Sequence, residues 1–173
     1  MPRPDTDTTT TNVLPVNALD ATALHALLGK YQLQLELIDD GQPIPGSFWG
    51  DNEAGLIGNR LLVRNDTPAH SLLHEACHYI CMSAERRRGL HTNAGGGYDE
   101  ENAVCYLQIL LSAQLPPLNP DRMLADMDSW GYSFRLGSAR AWFEQDADDA
   151  HDWLIRYGLI DTDDRPTWKL RDD

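Results

Sequence analysis

The stretch SLLHEACHYIC, Ser71 to Cys81, holds a His-Glu-x-x-His pattern. Five such letters can fall together by chance, so the flanking sequence has to decide. Asp66 or Thr67 can cap a helix here, and Pro68 suits a first helical position. Arg86, Arg87 and Arg88 place positive charge where a helix C-terminus favours it, and Gly89 can stop the helix. These signals agree on one helix through residues 65–89. On it His74 and His78 lie four apart, one above the other on the same face. Two imidazoles so placed can grip one Zn²⁺ at ~2.0–2.1 Å. Glu75 then lies beside the metal rather than on it, the position of a general base for a zinc-bound water.

Catalytic zinc usually takes three protein ligands and keeps one position open. The next candidates lie in GGGYDEENAVCYLQILL, residues 95–111. An inward stripe of Ala103, Tyr106, Leu107, Leu110 and Leu111 predicts a helix from about Glu100 to Gln114. At about 100° per residue, Glu100 and Asp99 fall near the edges of that stripe and Glu101 points away. Glu100 is the first choice for third ligand and Asp99 the second. His70 extends the histidine stripe by one turn but is too far along a straight helix to share the metal. His91, in a loop, is a weaker ligand candidate.

Around this pair the chain reads as mixed α and β. NALDATALHALLGKY predicts a first helix, with Asn17 or Asp20 as cap. In YQLQLELI, apolar residues alternate with polar ones, the period of a strand with one buried face. LIGNRLLVR carries Gly58-Asn59, a favoured two-residue hairpin turn. Asn119-Pro120 opens a helix to about Trp130, and a last one runs from about Ser138 to Tyr157. The expected fold class is α+β, with a small antiparallel sheet and about five helices. The expected division is a disordered tail over 1–16, one domain over 17–160 and an acidic C-terminal tail over 161–173.

The 173 residues are enough for a packed core, and 42% of them are hydrophobic. With 27 acidic against 14 basic residues the net charge is −13, which disfavours binding to nucleic acid. No apolar run approaches the ~20 residues that span a bilayer, so no membrane association is expected. MPRPDTDTTTTN lacks the apolar region of a secretory signal, so a cytoplasmic location is expected. Cys77, Cys81 and Cys105 are an odd number at no disulfide-like spacing, and read as reduced, buried thiols. Acidity is densest in EQDADDAHDW and IDTDDRP, a solvated face or a surface for a basic partner.

HEACH followed by EENAVCYLQILLSAQLP resembles the gluzincin branch of zinc metallopeptidases, most of all the small ImmA/IrrE-like and minigluzincin proteins. The resemblance spans roughly residues 50–116. It implies a zincin-like (minigluzincin) domain, with His74, His78 and Glu100 as zinc ligands and Glu75 as general base. Val104 departs from it, standing where such proteins carry Asn or Asp after Ala103. It also implies that NRLLVR is a strand whose edge an extended peptide can join. The function it implies is zinc-dependent hydrolysis of a peptide or protein substrate. The alternative is a zinc-binding regulatory protein or pseudo-peptidase that acts on a dedicated protein partner with little general proteolysis.

Overall fold

The computed structural model describes residues 12–47, 50–91 and 95–173. Among these, seven α-helices and three strands form an α+β fold. Helix α1, Ala21–Lys30, starts where Asp20 accepts a hydrogen bond from the Ala23 N–H at 2.8 Å. Strand β1, Gln34–Leu37, follows, then a loop and the hairpin of β2, Gly55–Ile57, and β3, Arg60–Val63. The hairpin turns on Gly58, whose φ of 58° is one that glycine adopts without penalty.

The sheet order is β1-β3-β2. β2 pairs with β3 antiparallel, but β1 pairs with β3 in parallel register, Gln34 opposite Arg60. The sheet is therefore mixed, which corrects the antiparallel expectation. Strand alternation reports a buried face and carries no information about the direction of the partner. β3 is also the central strand. With hydrogen-bonded neighbours on both sides, it has no edge for an added peptide.

Helix α2, Ala69–Cys81, carries the histidines. Every residue in it is buried except Glu75. Burial of Leu72, Leu73 and Ile80 contributes roughly 1.5–3 kcal/mol per side chain. The expected single helix over 65–89 breaks after α2. Met82 is extended, with ψ of 157°, and Ser83 caps a separate helix α3, Ala84–Arg88, by accepting from the Arg86 N–H. Helix α4, Tyr98–Leu111, packs between α2 and the last helix, α7, Asp148–Arg156. Between them in sequence lie α5, Pro120–Trp130, and α6, Ala139–Gln145. Asn119 caps α5 by accepting from the Arg122 N–H at 2.8 Å. The helix expected from Ser138 to Tyr157 is split at Asp146–Ala147, where Asp146 is drawn out to pair with Arg135. These two breaks turn the five expected helices into seven.

One contiguous hydrophobic cluster joins the sheet to the helices. The segment expected as an acidic tail, 161–173, packs back on this body. Trp168 stands 5.9 Å from the Tyr31 ring, and the Arg171 N–H bonds the Ile80 carbonyl at 3.0 Å. Of the expected N-terminal tail, residues 1–11 lie outside the described residues. Leu14 and Val16 are tied down, donating N–H bonds to Asp126 and to the Thr67 carbonyl. Among the described residues, no helix is long and apolar enough to cross a membrane.

Candidate metal centre

The centre forms where α2 faces the N-terminal half of α4. Four atoms from three residues converge there, one nitrogen from each of two histidines and both oxygens of Glu101. His74 Nε2 and His78 Nε2 are 3.1 Å apart. One Glu101 oxygen lies 3.0 Å from His74 Nε2, and the other 3.1 Å from His78 Nε2. A tetrahedral ion with arms of ~2.0–2.1 Å has donor–donor edges of about 3.3–3.4 Å. These contacts are thus a few tenths of an ångström shorter than the edges of a zinc site. A carboxylate can only accept, and each neutral imidazole offers one lone pair. Such groups at this separation require a proton or a cation among them. Two imidazole nitrogens and one carboxylate oxygen are a donor set that suits zinc.

The electrostatics point the same way. Burial alone would raise the Glu101 pKa, but His74 and His78 together hold it well below the usual carboxylate range. Burial works against a positive His74, and the Glu101 charge overrides it, raising the imidazole well above its ordinary value. The site is set up for positive charge facing a negative Glu101.

Glu75, adjacent to His74, is the one residue of α2 that is only half-buried. Burial raises its carboxyl pKa above the ordinary value, while His78 and His74 partly oppose the shift. A raised pKa makes a carboxylate a stronger base near neutrality.

Glu100 is placed elsewhere. Arg86 donates to both of its oxygens, at 2.7 and 2.8 Å, and Arg171 donates to one at 3.1 Å. The carboxylate that faces the histidines is therefore Glu101, and this corrects the expectation of Glu100. Helix α4 is buried on two faces, against α2 and against α7, so its apolar residues do not define a single inward stripe. Glu100 is 6% exposed because arginines neutralise it, not because it holds a metal. Asp99, the second choice, is exposed and lines a shallow depression with Asp149, Asp152 and Arg156. His91 is exposed and forms a bridge to Ile57. His70 is buried, and burial pushes its pKa down to about 3, with His74 adding to the fall.

Sequence reading overlooked two residues that complete the surroundings. Cys105 Sγ lies within 4.8 Å of donor atoms of His74 and Glu101. Gln108 Oε1 lies 2.9 Å from His74 Nδ1. A signal for them exists. Gln108 interrupts the apolar run Ala103–Leu111, and stepping back along its face reaches Cys105 and Glu101. The three thiols are free and buried. No protein-family model matches the chain, and no curated protein or solved structure matches it.

Proposed function

We propose that the chain is a zinc-dependent peptide-bond hydrolase of gluzincin type, with a zincin-like domain. His74, His78 and Glu101 hold the ion, and Glu75 is the general base. The observation that carries this reading is the cluster of two imidazole nitrogens and the Glu101 carboxylate from two helices, linked by contacts of 3.0–3.1 Å, with half-buried Glu75 next to His74. Bound there, zinc supplies Lewis acidity toward a carbonyl and lowers the pKa of water. Glu75 takes the proton from the water that attacks the peptide carbonyl and passes it to the leaving amine nitrogen. The negative Glu101 offsets the charge of the ion and, with the two imidazoles, fixes its place between the helices.

A second reading has its own observation. Cys105 is close enough to His74 and Glu101 to enter the donor set. A fourth protein ligand would close the site and make the metal structural or regulatory. That reading fits a protein that acts on a dedicated partner with little general proteolysis.

Zinc content and cleavage of a mixed peptide pool, measured on the same samples, test both. The expected result is near-stoichiometric zinc in the wild type, kept in Glu75→Gln and lost in His78→Ala, with cleavage in the wild type and none in Glu75→Gln. Zinc held without cleavage, and weakened by Cys105→Ala, selects the second reading. A wild-type chain that takes up no zinc discards both.

A further inference from the structure

Gln108 is fully buried at the centre of the molecule, with 0% of its surface exposed. It touches His74 on one side and has three further neighbours on the other. Its Nε2 is 2.9 Å from the His70 carbonyl oxygen, 3.3 Å from Tyr132 Oη and 3.5 Å from Met123 Sδ. A carbonyl only accepts, so the amide nitrogen and not the oxygen faces His70. That choice leaves Oε1 toward His74, and an amide oxygen also only accepts. His74 Nδ1 must therefore carry a hydrogen, and Nε2 is the nitrogen turned to His78 and Glu101.

The chain of hydrogen bonds continues one step. The second Gln108 N–H is directed at Tyr132 Oη. The hydroxyl also lies 3.2 Å from His70 Nδ1. Tyr132 is aimed into this position by Gly131, whose φ of 101° ends α5 and turns the chain back, with the Tyr132 N–H on the Met127 carbonyl at 3.0 Å. Trp130, on the last turn of α5, packs its ring 5.0 Å from His70 and donates Nε1–H to Glu53. Donation runs one way along these links, from His74 Nδ1 to the Gln108 oxygen and from the Gln108 nitrogen to the His70 carbonyl. His78 is different, because its Nδ1 is buried with no hydrogen-bond partner among the described residues.

We infer that Gln108 is a positioning residue of the metal centre. In this role it fixes the tautomer and ring orientation of His74, and its own amide is oriented by the His70 carbonyl and by Tyr132. The inference rests on the zinc reading above. It makes His74 the preorganised ligand and His78 the one that settles only when the ion binds. Loss of a group that orients a ligating histidine typically costs 10–100-fold in metal affinity.

The test combines an imidazole NMR experiment with zinc titration against a chelator of known affinity. In the metal-free wild type, a His74 Nδ1–H resonance protected from solvent exchange is expected, because neutral and protonated rings both donate to Gln108. Gln108→Leu should lose that protection and bind zinc about 10–100-fold more weakly. Tyr132→Phe removes one of the two groups that orient the amide, and should weaken zinc binding by less than Gln108→Leu while His74 Nδ1–H stays protected. A merely structural role would lower stability in both variants without changing the zinc affinity of the folded protein, and that result overturns the inference. So does a wild-type His74 whose Nδ1 is unprotonated or exchanges freely. If Gln108→Leu does not fold, the wild-type resonance and Tyr132→Phe decide. A wild-type chain that shows the protected resonance but takes up no zinc removes the metal reading, and the positioning role with it.

Discussion

Glu100 and Glu101 are neighbours in sequence and opposites in surroundings. Glu100 turns toward Arg86 and Arg171, two permanent cations, and is fully neutralised by the protein itself. Glu101 turns toward two imidazoles, which are neutral unless a proton or a metal makes them otherwise. A buried carboxylate with a guanidinium fork is part of the scaffold. One that faces imidazoles rather than a guanidinium is available to a cation. The lesson is that the partner's own charge, rather than depth of burial, separates a structural acid from a ligating one.

The two acids should part most clearly in the metal-free protein. Glu100→Ala removes the buried carboxylate that Arg86 and Arg171 share, and breaking such a pair costs about 3–5 kcal/mol. Glu101→Ala, at a partly exposed position, should cost at most about 1 kcal/mol. Urea unfolding of both variants measures the difference, and equal losses would erase the distinction between them.

Adding zinc should sharpen the contrast. At a free concentration 100 times its dissociation constant, a ligand specific for the folded state stabilises it by ≈ 2.7 kcal/mol. Glu100→Ala should gain that increment from its lower baseline, and Glu101→Ala should gain little of it. Thermal unfolding with and without zinc reads both.

A smaller effect tests the loop that leads into α4. Gly96 has φ of 96°, and a Cβ there would sit 2.2 Å from a Glu100 oxygen. Gly96→Ala should destabilise by roughly 1–3 kcal/mol, through backbone strain and the displaced Glu100. Zinc affinity should change far less than stability. A narrower effect again is expected at the C-terminal strap. Arg171 bonds Glu100 and the Cys81 carbonyl, and its guanidinium lies 4.1 Å from the Tyr157 ring centre. Arg171→Ala should cost about 1–2 kcal/mol, since Arg86 still holds Glu100. A loss as large as that of Glu100→Ala would mean the strap, and not Arg86, neutralises the acid.

Much of this was legible in the sequence where the determinants are local. Asp20 and Asn119 cap the helices they were expected to cap, Gly58 turns the hairpin, and His74 and His78 share one face because four residues make about one turn. What the sequence hid depends on distant partners. Helix breaks at Met82 and Asp146 accompany arginine pairs formed with Glu100 and with Asp146 itself. The parallel pairing of β1 with β3 reflects how the chain returns from a loop, which strand alternation does not encode. Glu101 was misjudged because α4 has two buried faces, so an apolar stripe alone could not say which one meets the histidines. Gln108 held the missing clue, as a single amide in an apolar run whose hydrogen bonds had to go somewhere.

The most direct test of the centre is the zinc dissociation constant of three folded proteins, the wild type, Glu100→Gln and Glu101→Gln, by competition with one chelator. Expected is a Glu100→Gln value within a few-fold of the wild type and a Glu101→Gln loss larger than the ~10–100-fold typical of residues that only support a ligand. The reverse order, with Glu100→Gln losing zinc and Glu101→Gln keeping it, would contradict the assignment of Glu101 to the metal.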